Sequence, residues 1–232
     1  MPLMGRRRQT VIDPSSTSSE PFRGLHLAIR MRAGTTEANS VLFTSPAPAA
    51  GKSTLALSYA TVAAQNQSRV LLIDADLSRA SLHKVFSLER APGLSDELLK
   101  ARFEPTDNGA HRRPLKEATH RVASGGMLEL LPAGSPVPRP SDVIGSEQMG
   151  DLVERARREY DLVVIDSPPV LGPADASNLA SLPNTDVIMV VTQASRRRPL
   201  LRALRQLELV HAKVLGVVVN RATGMASYEY EY

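Results

Sequence analysis

The stretch that most constrains the chain joins the apolar run Val41-Leu42-Phe43 to an Ala/Leu-rich segment through Thr44-Ser45-Pro46-Ala47-Pro48-Ala49-Ala50-Gly51-Lys52-Ser53-Thr54. It reads as strand, turn, helix. A turn ending in Gly-Lys-Ser at a helix start gathers free backbone N–H groups, the positive end of the helix dipole and an ammonium around one point. Ala49, Ala50, Gly51, Lys52, Ser53 and Thr54 therefore form a candidate phosphate-binding loop. The pattern departs from the usual one at Pro46, where glycine is expected, and at Ala49 and Ala50, where glycine would ease a tight turn.

The segment Ser53 to Ala64 is small and apolar nearly all round, as in a helix packed against a sheet. Further apolar runs are Arg69 to Asp74, Met127 to Leu131, Tyr160 to Asp166, Val187 to Val191 and Val214 to Val219. None alternates, so each is expected to be a strand buried on both faces. Helical patterns lie between them, one carrying Met149, Leu152, Val153 and Ala156 behind a cap at Ser146, another carrying Leu200, Leu201, Leu204, Leu207 and Val210. The rhythm predicts an α/β fold, a mainly parallel central sheet with helices on both faces. At 232 residues and 42% hydrophobic content a single domain is expected. Residues 1–19, with Arg6-Arg7-Arg8 and a Ser/Thr-rich run, are too polar to join a core and read as a flexible arm. A helix opens at Glu20-Pro21, with Phe22, Leu25 and Ile29 on one face and Glu20, Arg23, His26 and Arg30 outside it. Residues 101–123 turn polar and basic and read as a surface loop.

Composition narrows the chemistry. With no cysteine there is no disulfide and no thiolate site, and the five histidines show no ligand spacing. No apolar run is long enough to span a membrane, and no secretory leader follows Met1. A net charge of +4 favours anionic partners without choosing among them.

Ligands in such folds sit at the carboxyl ends of the strands, where Asp74, Asp76 and Asp166 fall. Asp76 with Ser78 could simply cap a helix beginning near Leu77. Beside a phosphate loop, the acids instead suggest a magnesium site, since magnesium takes one or two carboxylates with phosphates and waters. Ser53 would hold the ion directly and Asp166 through water, with Asp76 helping to position it.

These motifs resemble the bacterial tyrosine kinases, the autokinases that accompany polysaccharide polymerisation and export, from Glu20 to the end of the chain. The family's phosphate loop, Ser-x-x-Pro-Gly-Glu-Gly-Lys-Ser, matches Ser45 to Ser53 except at Ala49-Ala50. Its Asp-x-Asp-x-Arg motif is met by Asp74, Asp76 and Arg79, with Ser78 in place of a further arginine. Its Asp-x-x-Pro motif is met by Asp166 to Pro169. The Glu-x-x-Arg-x-x-Arg contact motif of the family is met at Glu20 and Arg23, with His26 in place of the last arginine. The resemblance implies a P-loop NTPase domain over residues 20–225 that uses ATP and Mg2+. It implies Lys52, Asp74 and Asp76 as catalytic residues, with either aspartate open as the group that orients or accepts the tyrosine proton, and Glu20 and Arg23 as contacts in a homo-oligomeric ring; Asn220, at the end of the last expected strand, is a candidate adenine contact.

Three of the five tyrosines, Tyr228, Tyr230 and Tyr232, alternate with Glu229 and Glu231 in the last five positions. By itself this could be an edge strand or a docked tail. The resemblance implies that residues 226–232 are a tail whose tyrosines accept phosphate from a neighbouring subunit. It further implies a membrane-embedded polysaccharide copolymerase as a separate activating chain, a cytoplasmic location at the inner face of the plasma membrane, and no nucleic-acid partner. Two other readings share the motifs: a Min- or Par-type positioning ATPase, which would carry lysine where Ala47 stands, and a catalytically impaired assembly switch, motivated by Ala49-Ala50 and Ser78.

Overall fold

The computed structural model describes residues 20–33, 39–66, 68–103, 119–121 and 127–222. The arm 1–19 and the tyrosine-rich segment 226–232 lie outside them. In chain order the elements are α1 (Glu20–Ala33), β1 (Asn39–Thr44), α2 (Lys52–Gln65), β2 (Arg69–Asp74), α3 (Leu82–Val85), α4 (Leu94–Phe103), β3 (His120–Arg121), β4 (Met127–Leu131), α5 (Pro140–Ile144), α6 (Glu147–Glu159), β5 (Leu162–Asp166), α7 (Asp175–Ala180), β6 (Thr185–Thr192), α8 (Arg197–Leu209) and β7 (Lys213–Asn220). The sheet runs β3-β4-β2-β5-β1-β6-β7. Every pairing is parallel except that of the short edge strand β3 with β4.

The non-alternating strands follow from burial on both sides. Leu42, Leu71, Ile73, Val163, Ile165, Val187 and Met189 point into a core under α4 to α8. Their neighbours Val41, Phe43, Val70, Leu72, Val164, Ile188 and Val190 point into a second core under α1 and α2. Helix α2 lies between α1 and the sheet, which is why residues all round it, Leu55 to Ala60 and Val62 to Ala64, are buried. No helix among the described residues is long and apolar enough to cross a membrane.

Four expectations change in detail. The run Val214 to Val219 is not buried on both faces: as β7 it is the edge of the sheet, with Val217 45% and Val219 48% exposed. His26 does not lie on the polar side of α1; it is buried with its ring 5.6 Å from that of Tyr59, because α1 packs on α2. Residues 101–123 are not all loop, since α4 continues to Phe103 and His120–Arg121 pairs with β4. Ser146 holds the N-cap position of α6 without capping it, because its hydroxyl donates to the Val143 carbonyl at 2.7 Å.

Candidate phosphate and metal site

Strands β1, β2 and β5 are adjacent and parallel, so their carboxyl ends deliver the loop 45–51, Asp74 and Asp166 to one place. The loop is pinned on the Asp166 side: Thr44 Oγ1 donates to Pro168 O at 2.9 Å, and Val170 N–H donates to Ser45 O at 2.9 Å. Inside it, Ser45 Oγ donates to Ala47 O at 2.7 Å and tightens the turn. Ala49 at φ 65 and Gly51 at φ 89 both have left-handed backbone, with Ala50 between them. Left-handed residues interrupting a turn direct successive N–H groups into one concavity, the geometry of an anion nest. Lys52, the first residue of α2, is buried at that concavity, and Ser53 is half-buried beside it.

Glycine at position 51 is required twice over. Its φ disfavours a side chain, and a Cβ would lie 2.2 Å from Asn220 Nδ2. Asn220, at the end of β7, donates from Nδ2 to Ala50 O at 2.9 Å and accepts from Arg221 N–H at Oδ1. The amide expected to meet adenine therefore holds the loop's backbone in this structure, turning the Ala50 carbonyl toward β7.

Asp74 and Asp166 are register partners on β2 and β5 and are each 1% exposed. Asp74 Oδ2 accepts the N–H groups of Ser81 and Leu82, both at 3.0 Å, at the start of α3. Asp74 Oδ1 and both oxygens of Asp166 are buried with no hydrogen-bond partner. Burial pushes the Asp166 carboxyl up to about 8, helped by the charge of Asp74 and opposed by Lys52 and Ser53. Burial likewise raises Asp74 to about 6, against the backbone amides of Leu82, Ser81 and Asp76, which favour its charge. Asp76 is buried and accepts Arg79 N–H at Oδ1, 3.0 Å, closing a turn over 77–79. The capping expected of Asp76 thus closes a turn, and the amides at the following helix go to Asp74.

Two facing carboxylates with three orphaned oxygens fit a cation bound between strand ends and loop. Among the described residues no three acidic or histidine side chains converge to enclose a metal alone. The orphaned carboxylate oxygens suit a hard cation such as magnesium, which completes its shell with waters and phosphate oxygens. Glu20 and Arg23 are exposed side chains in the first turn of α1, paired with each other at 3.6 Å. Sequence reasoning did not single out Arg196 or the tie from Asn220 to Ala50. Arg196 stands in a plain Arg-Arg-Arg run, and only the β1·β6 pairing brings its loop beside Pro46 to Ala50.

A family model for ParA, described as NUBPL iron-transfer P-loop NTPase, matches residues 38–229. The chain has no cysteine to hold an iron–sulfur cluster, so the likeness lies in the nucleotide-binding fold. It is 31% identical over 229 residues to tyrosine-protein kinase YwqD of Bacillus subtilis, covering 99% of this chain and 92% of that protein. It is 32% identical over 219 residues to the putative tyrosine-protein kinase EpsB of Ralstonia nicotianae, covering 94% of this chain but 27% of that longer protein. The kinase domain of Escherichia coli tyrosine kinase ETK superposes with a TM-score of 0.81 at 26% identity, covering 100% of this chain and 86% of that one.

Proposed function

This chain belongs to the bacterial tyrosine kinases, and from that premise we propose that it transfers the γ-phosphoryl group of ATP to Tyr228, Tyr230 and Tyr232 of a second copy of itself. The observation that carries the reading is the buried Asp74–Asp166 pair, whose unpartnered oxygens face a loop built for phosphate. Backbone N–H groups from Ala49 to Thr54 receive the phosphate oxygens, and the Lys52 ammonium neutralises charge on the transferring group. Ser53, Asp76 and Asp166 would hold magnesium, which when bound would supply a positive charge to offset that on the phosphate oxygens. The tyrosine oxygen forms its bond to the γ-phosphorus as the bond to the ADP oxygen breaks, and ADP leaves. The phenolic proton passes to Asp74, whose free Oδ1 is the acceptor while Ser81 and Leu82 N–H groups fix Oδ2. A carboxyl raised to about 6 is still ionised near neutral pH and is a better base than an ordinary aspartate. Adenine meets Asn220 once the bond to Ala50 is exchanged.

In the same reading, copies meet through Glu20 and Arg23 in a ring. A membrane-embedded polysaccharide copolymerase, a separate chain, docks and activates them at the inner face of the plasma membrane, and the phosphorylation state of the C-terminal segment regulates exopolysaccharide or capsule export. Mass spectrometry after incubation with ATP and magnesium tests the chemistry. Phosphate on Tyr228, Tyr230 or Tyr232 in the wild type and none in Lys52→Ala is the expected result; bare tyrosines in both overturn it.

A further inference from the structure

Two helices of equal length carry their charge in opposite ways. In α6, of 13 residues, Glu147 stands in the first turn and Arg157 and Arg158 in the last, and Glu154 pairs with both arginines at 2.9 and 4.0 Å. That arrangement follows the helix dipole and stabilises the helix. Helix α8, also of 13 residues, reverses it. Arg196 is its N-cap residue, Arg197 and Arg198 open a first turn that holds no acid, and its last turn holds Glu208 and no base. Arg202 and Arg205 continue the basic run. Arg198 and Arg202 are like charges four residues apart, a spacing that weakens a helix. All five arginines are exposed, and no carboxylate of the described residues lies within ion-pair distance of any of them. The charge works against α8 as a helix and is free for an anionic partner.

The chemistry of that partner follows from what lies among the arginines. At helical spacing Arg198, Arg202, Arg205 and Leu209 form one stripe, with Leu201 beside Arg198 and Arg205. Leu209 is 80% exposed and Leu201 42%. The opposite face of α8 is already committed, since Ala203 and Leu207 are buried in the core and Leu200 and Leu204 pack against it. Next to Leu201 the turn into β7 leaves a hollow of about 620 Å³, whose apolar wall is Leu201, Leu204, Ala212 and Val214. A nucleic acid would satisfy the arginines and leave these leucines in water. An anionic bilayer satisfies both: phosphodiester headgroups meet the guanidiniums, and the leucines meet the upper part of the acyl chains.

We propose that the outer face of α8 docks directly on a lipid surface rich in anionic headgroups. Arg198, Arg202 and Arg205 contact the phosphates, and Leu201 and Leu209 enter the acyl boundary. The helix is about 20 Å long and lies flat on the surface, held to the protein by its buried side. In the reading above a separate chain brings the protein to the membrane. This face gives the chain a lipid contact of its own, and it does not depend on phosphoryl transfer.

Flotation of the full-length chain at low salt tests it, with vesicles of equal parts phosphatidylglycerol and phosphatidylcholine against vesicles of phosphatidylcholine alone. The wild type should float with the anionic vesicles and stay behind with the neutral ones. Each basic side chain at an anionic surface strengthens binding about fivefold. Arg198→Glu, Arg202→Glu and Arg205→Glu together should therefore weaken it about a hundredfold or more. Lysine at the same three positions should bind as wild type does. Leu201→Ser with Leu209→Ser keeps the charge and should weaken vesicle binding about tenfold or more, while binding to a labelled DNA duplex stays unchanged. Leu209→Ser alone repeats the leucine arm at a side chain that the fold does not use. Vesicle binding that persists in the glutamate variant, or that both leucine variants retain in full, overturns the proposal. So does binding lost only when Arg6, Arg7 and Arg8 become alanine, which assigns the contact to the N-terminal arm. Tighter binding of the duplex than of the vesicles, indifferent to the leucines, assigns the face to nucleic acid and overturns it as well.

Discussion

At Asp166 the carboxyl is buried beside Asp74 and held near 8, whereas an unfolded aspartate titrates near 4. Between those values the folded state keeps a proton that the unfolded state has lost, so this residue's contribution to stability falls as pH rises through that window. Asp166→Asn removes the titration. Without nucleotide or magnesium the variant should be more stable than wild type at pH 8, by on the order of a few kcal/mol, and the gap should close toward pH 4. Thermal melts at the two pH values check the sign; a variant less stable than wild type at pH 8 contradicts it. Magnesium with ATP should raise the melting temperature of wild type more than that of the variant. The phosphate loop also stores backbone strain. Ala49 sits at φ 65, a conformation costing a side chain about 1–2 kcal/mol, of which glycine would give back part as lost chain entropy. Ala49→Gly should stabilise the protein by up to about 1 kcal/mol in urea denaturation, whereas Gly51→Ala should cost about 2 kcal/mol or more through its contact with Asn220. The sequence located Asp74, Asp76 and Asp166 because each ends or follows an apolar run. It could not show that Asp74 is the one held by two amides, since that depends on where residues 81 and 82 fold back. His26 was misread because a single helix pattern cannot reveal the neighbour that covers a polar side chain.

Among the elements, strands buried on both faces were legible, because nothing else in a protein of this size accommodates five or more successive apolar residues so often. Helices α3, α5 and α7 span at most 6 residues and show no periodicity to read. Their places are set by tertiary contacts such as the Ser141 hydroxyl on the Asp175 carboxylate. The edge position of β7 was hidden because strand order is not written in any one strand. Its end is nonetheless the element that steadies the loop, through Asn220. Asn220→Ala should leave the Ala50 carbonyl without that partner, cost about 1 kcal/mol, and weaken ATP binding. Hydrogen exchange should then quicken at Gly51 to Thr54 and stay unchanged in β2 and β5. Unaltered exchange across the loop would show that Asn220 is not its anchor.

For the molecule as a whole, the parallel sheet order brings the loop after β1, the acids ending β2 and β5 and the arginines after β6 to one edge. That edge gathers candidates for what a phosphoryl donor needs: a cradle, a cation site and a base. Tyr228, Tyr230 and Tyr232, the acceptors proposed above, lie outside the described residues. The sharpest test mixes unlabelled wild type with isotope-labelled Lys52→Ala chain in ATP and magnesium and maps phosphate on the labelled copy. Phosphate on labelled Tyr228, Tyr230 or Tyr232 is the expected outcome. ATP consumed with the labelled tyrosines left bare would contradict transfer between copies.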